Sequence, residues 1–206
     1  MTMSKGSHSK ERILQAGIEL LSVSGTGAVT FGALAERASV SKSGLFAHFA
    51  DKDDLERQLF HLAERIFIRD VMTPAMQEPT PLRRLERVLE LWLGWAARSG
   101  LKGGCPFVAA ASELDDTPGS LRDYLAESQS RFIATIVRLI DETIASGELS
   151  ESTDAKQTAF EILGIYLAHH YVSRLLHDTR AEKKAKKAFS NLLDRQRATT
   201  SRKRAN

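Results

Sequence analysis

Between Thr30 and Lys52 the chain sets out hydroxyls, two lysines and an imidazole at spacings that offer hydrogen bonding and charge. Thr30 can cap a helix whose apolar side is Phe31, Leu34 and Ala35, with Ala38 closing it, the i, i+3, i+4, i+7 spacing of a one-sided helix. Val40 turns into the core, and Ser41 offers a second cap. The helix that follows buries Leu45 and Phe49 and leaves Lys42, Ser43, Phe46 and His48 on its other faces. A short helix that begins with polar and basic groups and is held against a neighbour suits entry into the DNA major groove. The chemistry expected of this stretch is sequence reading.

The elements that must position it are helical. A helix over 10–24 places Ile13, Ala16, Gly17, Leu20 and Leu21 inward ahead of the two short ones. The pattern then predicts helices over 52–71, 82–99, 106–114, 120–146, 154–177 and 180–196, about nine in all, with no internal repeat. Pro74, Pro79 and Pro81 separate the first two of these. Pro106 suits the first position of its helix, and Gly147 suits the left-handed residue past the end of another. No alternating β pattern stands out, so the fold class is all-α.

The stretch from Thr30 to Leu55 resembles the DNA-binding domain of the tetracycline-repressor (TetR) family, whose usual pattern runs T-x-x-x-[LI]-A-x-x-A-G-V-S-x-G-x-[LF]-Y-x-[HY]-F-x-x-K-x-x-L. Thr30, Leu34, Ala35, Ala38, Val40, Ser41, Leu45, His48, Phe49, Lys52 and Leu55 stand in register, and the helix over 10–24 is similar too. The match covers roughly the first third of the chain. It departs at Ser39, where Gly is usual, at Ser43-Gly44, and at Phe46, which replaces a Tyr and so deletes a hydroxyl expected to bond a phosphate. The resemblance implies that Ser41, Lys42, Ser43 and Gly44 meet base edges or phosphates, while Thr30, His48 and Lys52 hold the backbone and Phe46 adds apolar contact. It further implies a dimeric regulator, a repressor released from a palindromic operator by a small molecule.

Composition narrows the alternatives. The chain has 206 residues, 42% of them hydrophobic, enough to bury a core in one or two domains. The first ten residues lack the apolar stretch of a secretory signal, and the longest uninterrupted apolar run, 91–97, is too short to span a bilayer. One cysteine, Cys105, fits a reducing cytoplasm and reads as buried or idle. Residues 1–60 carry seven Lys/Arg against seven Asp/Glu, residues 61–182 carry a net −5, and residues 183–206 a net +8. DNA affinity therefore rests on a few placed cations, Lys10, Arg37, Lys42 and Lys52, and on helix N-termini. No phosphate-binding glycine loop, H-E-x-x-H, C-x-x-C or G-x-S-x-G motif occurs, so neither enzymatic activity nor a metal or cofactor is expected.

The second part of the chain is read as 52–196, an effector-binding and dimerising region, with 52–71 as connector from a reading head at 1–51 and a basic tail at 197–206. Trp92, Trp95, Phe107, Phe132, Ile136, Tyr166 and His169 are candidates for an apolar effector pocket, though core is the commoner role for large apolar residues at such positions. His169 and His170, adjacent on a helix, diverge by about 100° and cannot chelate one metal as an i, i+4 pair could. The 154–177 helix is apolar nearly all round, so it must be covered on more than one side. With the 180–196 helix it predicts a two-fold four-helix interface through Phe160, Leu163, Gly164, Leu167, Ala168, Leu175, Ala185, Phe189 and Leu192. The competing reading is a helical protein-interaction module without DNA binding; Lys42, His48 and Lys52 speak against it.

Overall fold

The computed structural model describes residues 5–197. In chain order the helices are α1 (Lys5–Ser24), α2 (Phe31–Ala38), α3 (Lys42–Phe46), α4 (Lys52–Phe67), a π turn (Ile68–Met72), α5 (Thr73–Ala75), α6 (Pro81–Trp92), α7 (Trp95–Arg98), α8 (Pro106–Leu114), α9 (Ser120–Ala145), α10 (Ala155–Arg174) and α11 (Ala181–Gln196). A lone bridge between Leu149 and Arg197 is the sole β pairing among the described residues. The fold is all-α, as the periodicity predicts.

Two interruptions take the helix count past nine. The predicted 52–71 helix leaves α geometry at Ile68, runs through the π turn and adds one more turn at α5. Pro74 has no N–H to offer the Asp70 carbonyl, so the ladder cannot continue unchanged through this point. The predicted 82–99 helix breaks after Trp92: Leu93 is extended at φ −62°, ψ 117°, and Gly94 sits at φ 69°, a left-handed conformation that favours glycine. The break falls where the chain passes from one compact unit to the other, and Trp92, Leu93, Trp95 and Ala96 are all buried. The predicted 154–177 helix ends sooner, at Arg174.

By compactness the described residues form two units, those of Met1–Asp70 with Gly94–Gln129 and those of Val71–Leu93 with Ser130–Asn206. In the first, Ile13, Ile18 and Leu21 of α1 share a core with Leu34, Leu45, Phe49, Leu55, Leu59 and Phe60. Phe107 of α8 meets Phe60 with ring centroids 5.7 Å apart, and Trp95 meets Phe67 edge-on at 5.2 Å. The loop before α8 comes so close to the end of α1 that a Cβ on Gly103 would lie 1.6 Å from the Ser22 carbonyl oxygen. Cys105 lies beside that loop, buried and not in a disulfide.

In the second unit α6, the later turns of α9, α10 and α11 bury Leu85, Leu89, Ile136, Leu139, Ile140, Ile162, Tyr166, Phe189, Leu192 and Leu193. The α10–α11 pair is the most extensively packed pair of helices. It is pinned at one end by Gln196 Nε2, which donates to Thr158 Oγ1 at 2.8 Å. Asp154 caps α10 by accepting from the backbone N–H groups of Lys156 and Gln157, each at 3.0 Å.

Candidate nucleic-acid interface

The two short helices are set by their caps. The Thr30 hydroxyl accepts from the Ala33 N–H at 3.1 Å, and the Ser41 hydroxyl from the Gly44 N–H at 3.1 Å. Each satisfies a helix-start donor that nothing inside the helix could reach. Ser39 closes α2 at φ 53°, ψ 50°, so the turn does require a left-handed residue at the position where Ser replaces the usual Gly. Arg12 of α1 donates to the Ala38 carbonyl at 2.6 Å and occupies an acceptor left open at the end of α2.

With Leu45 and Phe49 buried, α3 turns Ser41, Lys42 and Ser43 to solvent. Ser41 and Ser43 hydroxyls lie 3.0 Å apart. Lys42 has no ion-pair partner among the described residues, and its stem passes beside Gly32, 4.0 Å from where a Cβ there would lie. Phe46 is 58% exposed and stacks on the half-buried Phe31, centroids 4.5 Å apart and planes at 24°. A phenyl ring left in water but fixed against a second ring is an apolar contact surface held ready. His48 is half-buried beside Phe49, and Asp51 caps α4 next to Lys52.

The other expected cations are engaged. Lys10 lies over the Phe49 ring at 5.7 Å, and Arg37 pairs with Glu19 at 3.5 Å. Lys52, half exposed, pairs at 3.4 Å with Glu56, which is only 4% exposed. Burial pushes the Glu56 carboxyl above the ordinary glutamate range, with Lys52 opposing and Asp53 and Glu113 adding to the rise. Glu113 of α8 reaches back to the start of the chain: its Oε2 accepts from the Thr26 N–H at 2.7 Å and the Thr26 hydroxyl at 2.5 Å. It thereby holds the loop that leads into α2.

The candidate effector residues divide between the units. Trp95 and Phe107 belong to the first unit's core. Trp92, Phe132, Ile136, Tyr166 and His169 belong to the second, where Trp92 stacks on Tyr166 at 3.9 Å and meets Phe132 edge-on at 4.7 Å. His169 Nδ1 and His170 Nε2 are buried without hydrogen-bond partners, and desolvation holds both imidazoles below the usual range, favouring the neutral form. Of the candidate interface residues, Phe160 and Leu167 are exposed on one face of α10, with Tyr171 and Leu175 continuing that face. Gly164, Ala168, Ala185 and Leu192 line a cavity of about 590 Å³ between α10 and α11, which His169 also borders. Phe189 is buried, and Leu163 is half-buried.

Comparison with known proteins places this architecture. A family model described as the tetracyclin repressor-like C-terminal domain matches residues 81–189, and one for bacterial regulatory proteins of the tetR family matches residues 13–59. The chain belongs to the TetR family. It is a DNA-binding transcriptional regulator. A TetR-family regulator from Cytophaga hutchinsonii shares the fold with a TM-score of 0.82 at 18% identity, over 97% of this chain and 100% of that one. One from Chloroflexus aurantiacus gives 0.83 at 24% identity, over 96% and 100%. The nucleoid occlusion factor SlmA of Vibrio vulnificus is 27% identical over 165 residues, 80% of this chain and 83% of that protein. Among the described residues no helix is long and apolar enough to cross a membrane.

Three residues that shape the reading head escape a sequence reading. Arg12, Phe31 as a partner for Phe46, and Glu113 act across separations in the chain that no local spacing reports. The buried glutamate had a signal: Glu56 precedes Leu59, Phe60 and Ala63 by three, four and seven residues, the spacing of one inward face of α4.

Proposed function

We propose that this chain is a ligand-responsive repressor that binds a palindromic operator as a dimer, with 1–51 as reading head, 52–71 as connector and 52–196 as effector and dimer region. The observation that carries the reading is the front of α3, where the exposed Ser41, Lys42 and Ser43 follow one another with the rest of the helix pinned by Leu45. Ser41, Lys42, Ser43 and Gly44 read bases or phosphates; Thr30, His48 and Lys52 hold the backbone; Phe46 meets a thymine methyl or sugar. The exposed apolar face of α10 pairs with its copy, together with the face of α11, and the two-fold axis so made matches the operator's own symmetry. Trp92, Phe132, Ile136, Tyr166 and His169 receive an uncharged, largely apolar effector whose polar atom engages an imidazole nitrogen.

Selection of duplexes from a randomised pool with the full-length protein tests this. Enrichment of an inverted repeat whose half-sites lie one helical turn, or a multiple of it, apart is expected. Enrichment of a single unrepeated site, or none, overturns the dimeric operator reading.

A further inference from the structure

We propose that Glu56 is a positioning residue for DNA binding: it holds the Lys52 ammonium by an ion pair that an incoming phosphate must share, so that binding is opposed when Glu56 is ionised and eased when it is protonated. The proposal rests on the assignment of Lys52 to the DNA backbone. Its geometry is plain. Glu56 is 4% exposed, its Oε1 has no hydrogen bond, and Lys52 Nζ stands 3.4 Å away at the half-exposed first turn of α4. A buried carboxylate with one cation and no hydrogen bond is poorly compensated. A phosphate drawn to Lys52 brings a second negative charge to the same ammonium, and repulsion between the two anions offsets part of the gain.

The charges acting on Glu56 do not supply another way out. From its own helix come Lys52, which favours ionisation, and Asp53, which opposes it. From α8 comes Glu113, which also opposes it. Of the other helices against α4, α1 directs Lys10 at Asp54 and at the Phe49 ring. The first turns of α9 engage Arg57 and Asp53 through Ser120, His61 through Tyr124 and Glu64 through Ser128, not Glu56. Burial, two like charges and an approaching phosphate all act in one direction, toward proton uptake by Glu56 as DNA binds. At low pH the carboxyl is already neutral, Lys52 is free for the phosphate, and the opposition vanishes. As pH rises through the carboxyl's range in the folded protein, affinity falls.

The test uses the full-length chain and a labelled duplex of a few helical turns, of fixed arbitrary sequence and at low salt, because phosphate contacts do not depend on sequence. Wild type, Glu56→Gln and Lys52→Ala are titrated from about pH 8 to about pH 5.5, with folding checked by circular dichroism at each pH. Glu56→Gln is expected to bind about fivefold tighter than wild type at the upper end, with that advantage narrowing as pH falls. Both proteins carry the same histidines, so those cancel in the ratio. Glu56→Met, which also cannot ionise, gives the same profile should the glutamine amide not be tolerated. A ratio near one at every pH, or weaker binding by Glu56→Gln throughout, overturns the role given to Glu56. If Lys52→Ala binds as tightly as wild type, the assignment of Lys52 to the phosphate backbone fails instead.

Discussion

The front of α3 and the outer face of α10 both present side chains to water, but they differ in what is left unsatisfied. At α3 the exposed groups are hydroxyls and an ammonium, each well solvated, and the one exposed ring, Phe46, already stacks on Phe31. At α10, Phe160 is 68% exposed and Leu175 60%, with Leu167 and Tyr171 between them on the same face. A surface of the first kind is stable alone and can wait for a ligand. A surface of the second kind leaves apolar area in water, a favourable burial unrealised until something covers it. Under the proposed function, reading and assembly fall to two surfaces with opposite solvation.

The comparison can be broken most forcefully at α10. Replacing Phe160 and Leu167 together by Asp removes two apolar contacts, each worth ~1.5–3 kcal/mol when buried. Sedimentation at micromolar concentration is expected to show a monomer whose helix content by circular dichroism is unchanged. An intact dimer would mean that another face carries assembly.

At α3 the expected effect is smaller and of another kind. Ser41→Ala removes the cap on the Gly44 N–H and is expected to cost ~1 kcal/mol of stability, read as a lower thermal midpoint. Because the same residue fronts the reading surface, DNA affinity should fall by more than that loss of stability explains. If midpoint and affinity fall in proportion, Ser41 only builds the helix.

The smallest effect sharpens the contrast from the turn itself. Ser39→Gly relieves a side chain at φ 53° and is expected to raise stability by ~0.5–1 kcal/mol with DNA affinity unchanged. A fall in stability would show that the hydroxyl, not the backbone angle, is what the turn needs.

What the sequence could and could not foretell follows the range of the interactions. Thr30, Ser41 and Gly147 act within four residues of themselves, so capping rules read them correctly, and Ser39's left-handed angle was foreseeable from the family's glycine. The break at Leu93–Gly94 was hidden because the apolar run over 91–97 satisfies a straight helix and a kinked one alike. Only tertiary burial of both tryptophans decides between them, and it sends Trp92 and Trp95 to different units. Glu113 and Thr26 are 87 residues apart, and nothing local in either announces the other. Lys10 was expected among the phosphate-binding cations, but its position over Phe49 comes from the packing of α1 against the reading head.

The Gly103 approach to α1 leaves the lone thiol of the chain, Cys105, shut in behind a loop that admits no bulk. A cysteine introduced at Ser43 would then be the sole rapidly labelled thiol in the folded protein. Fluorophores or spin labels could be attached there without first removing the native residue. The molecule comes with its background already silenced, so a distance between two copies can be read from one engineered position at a time.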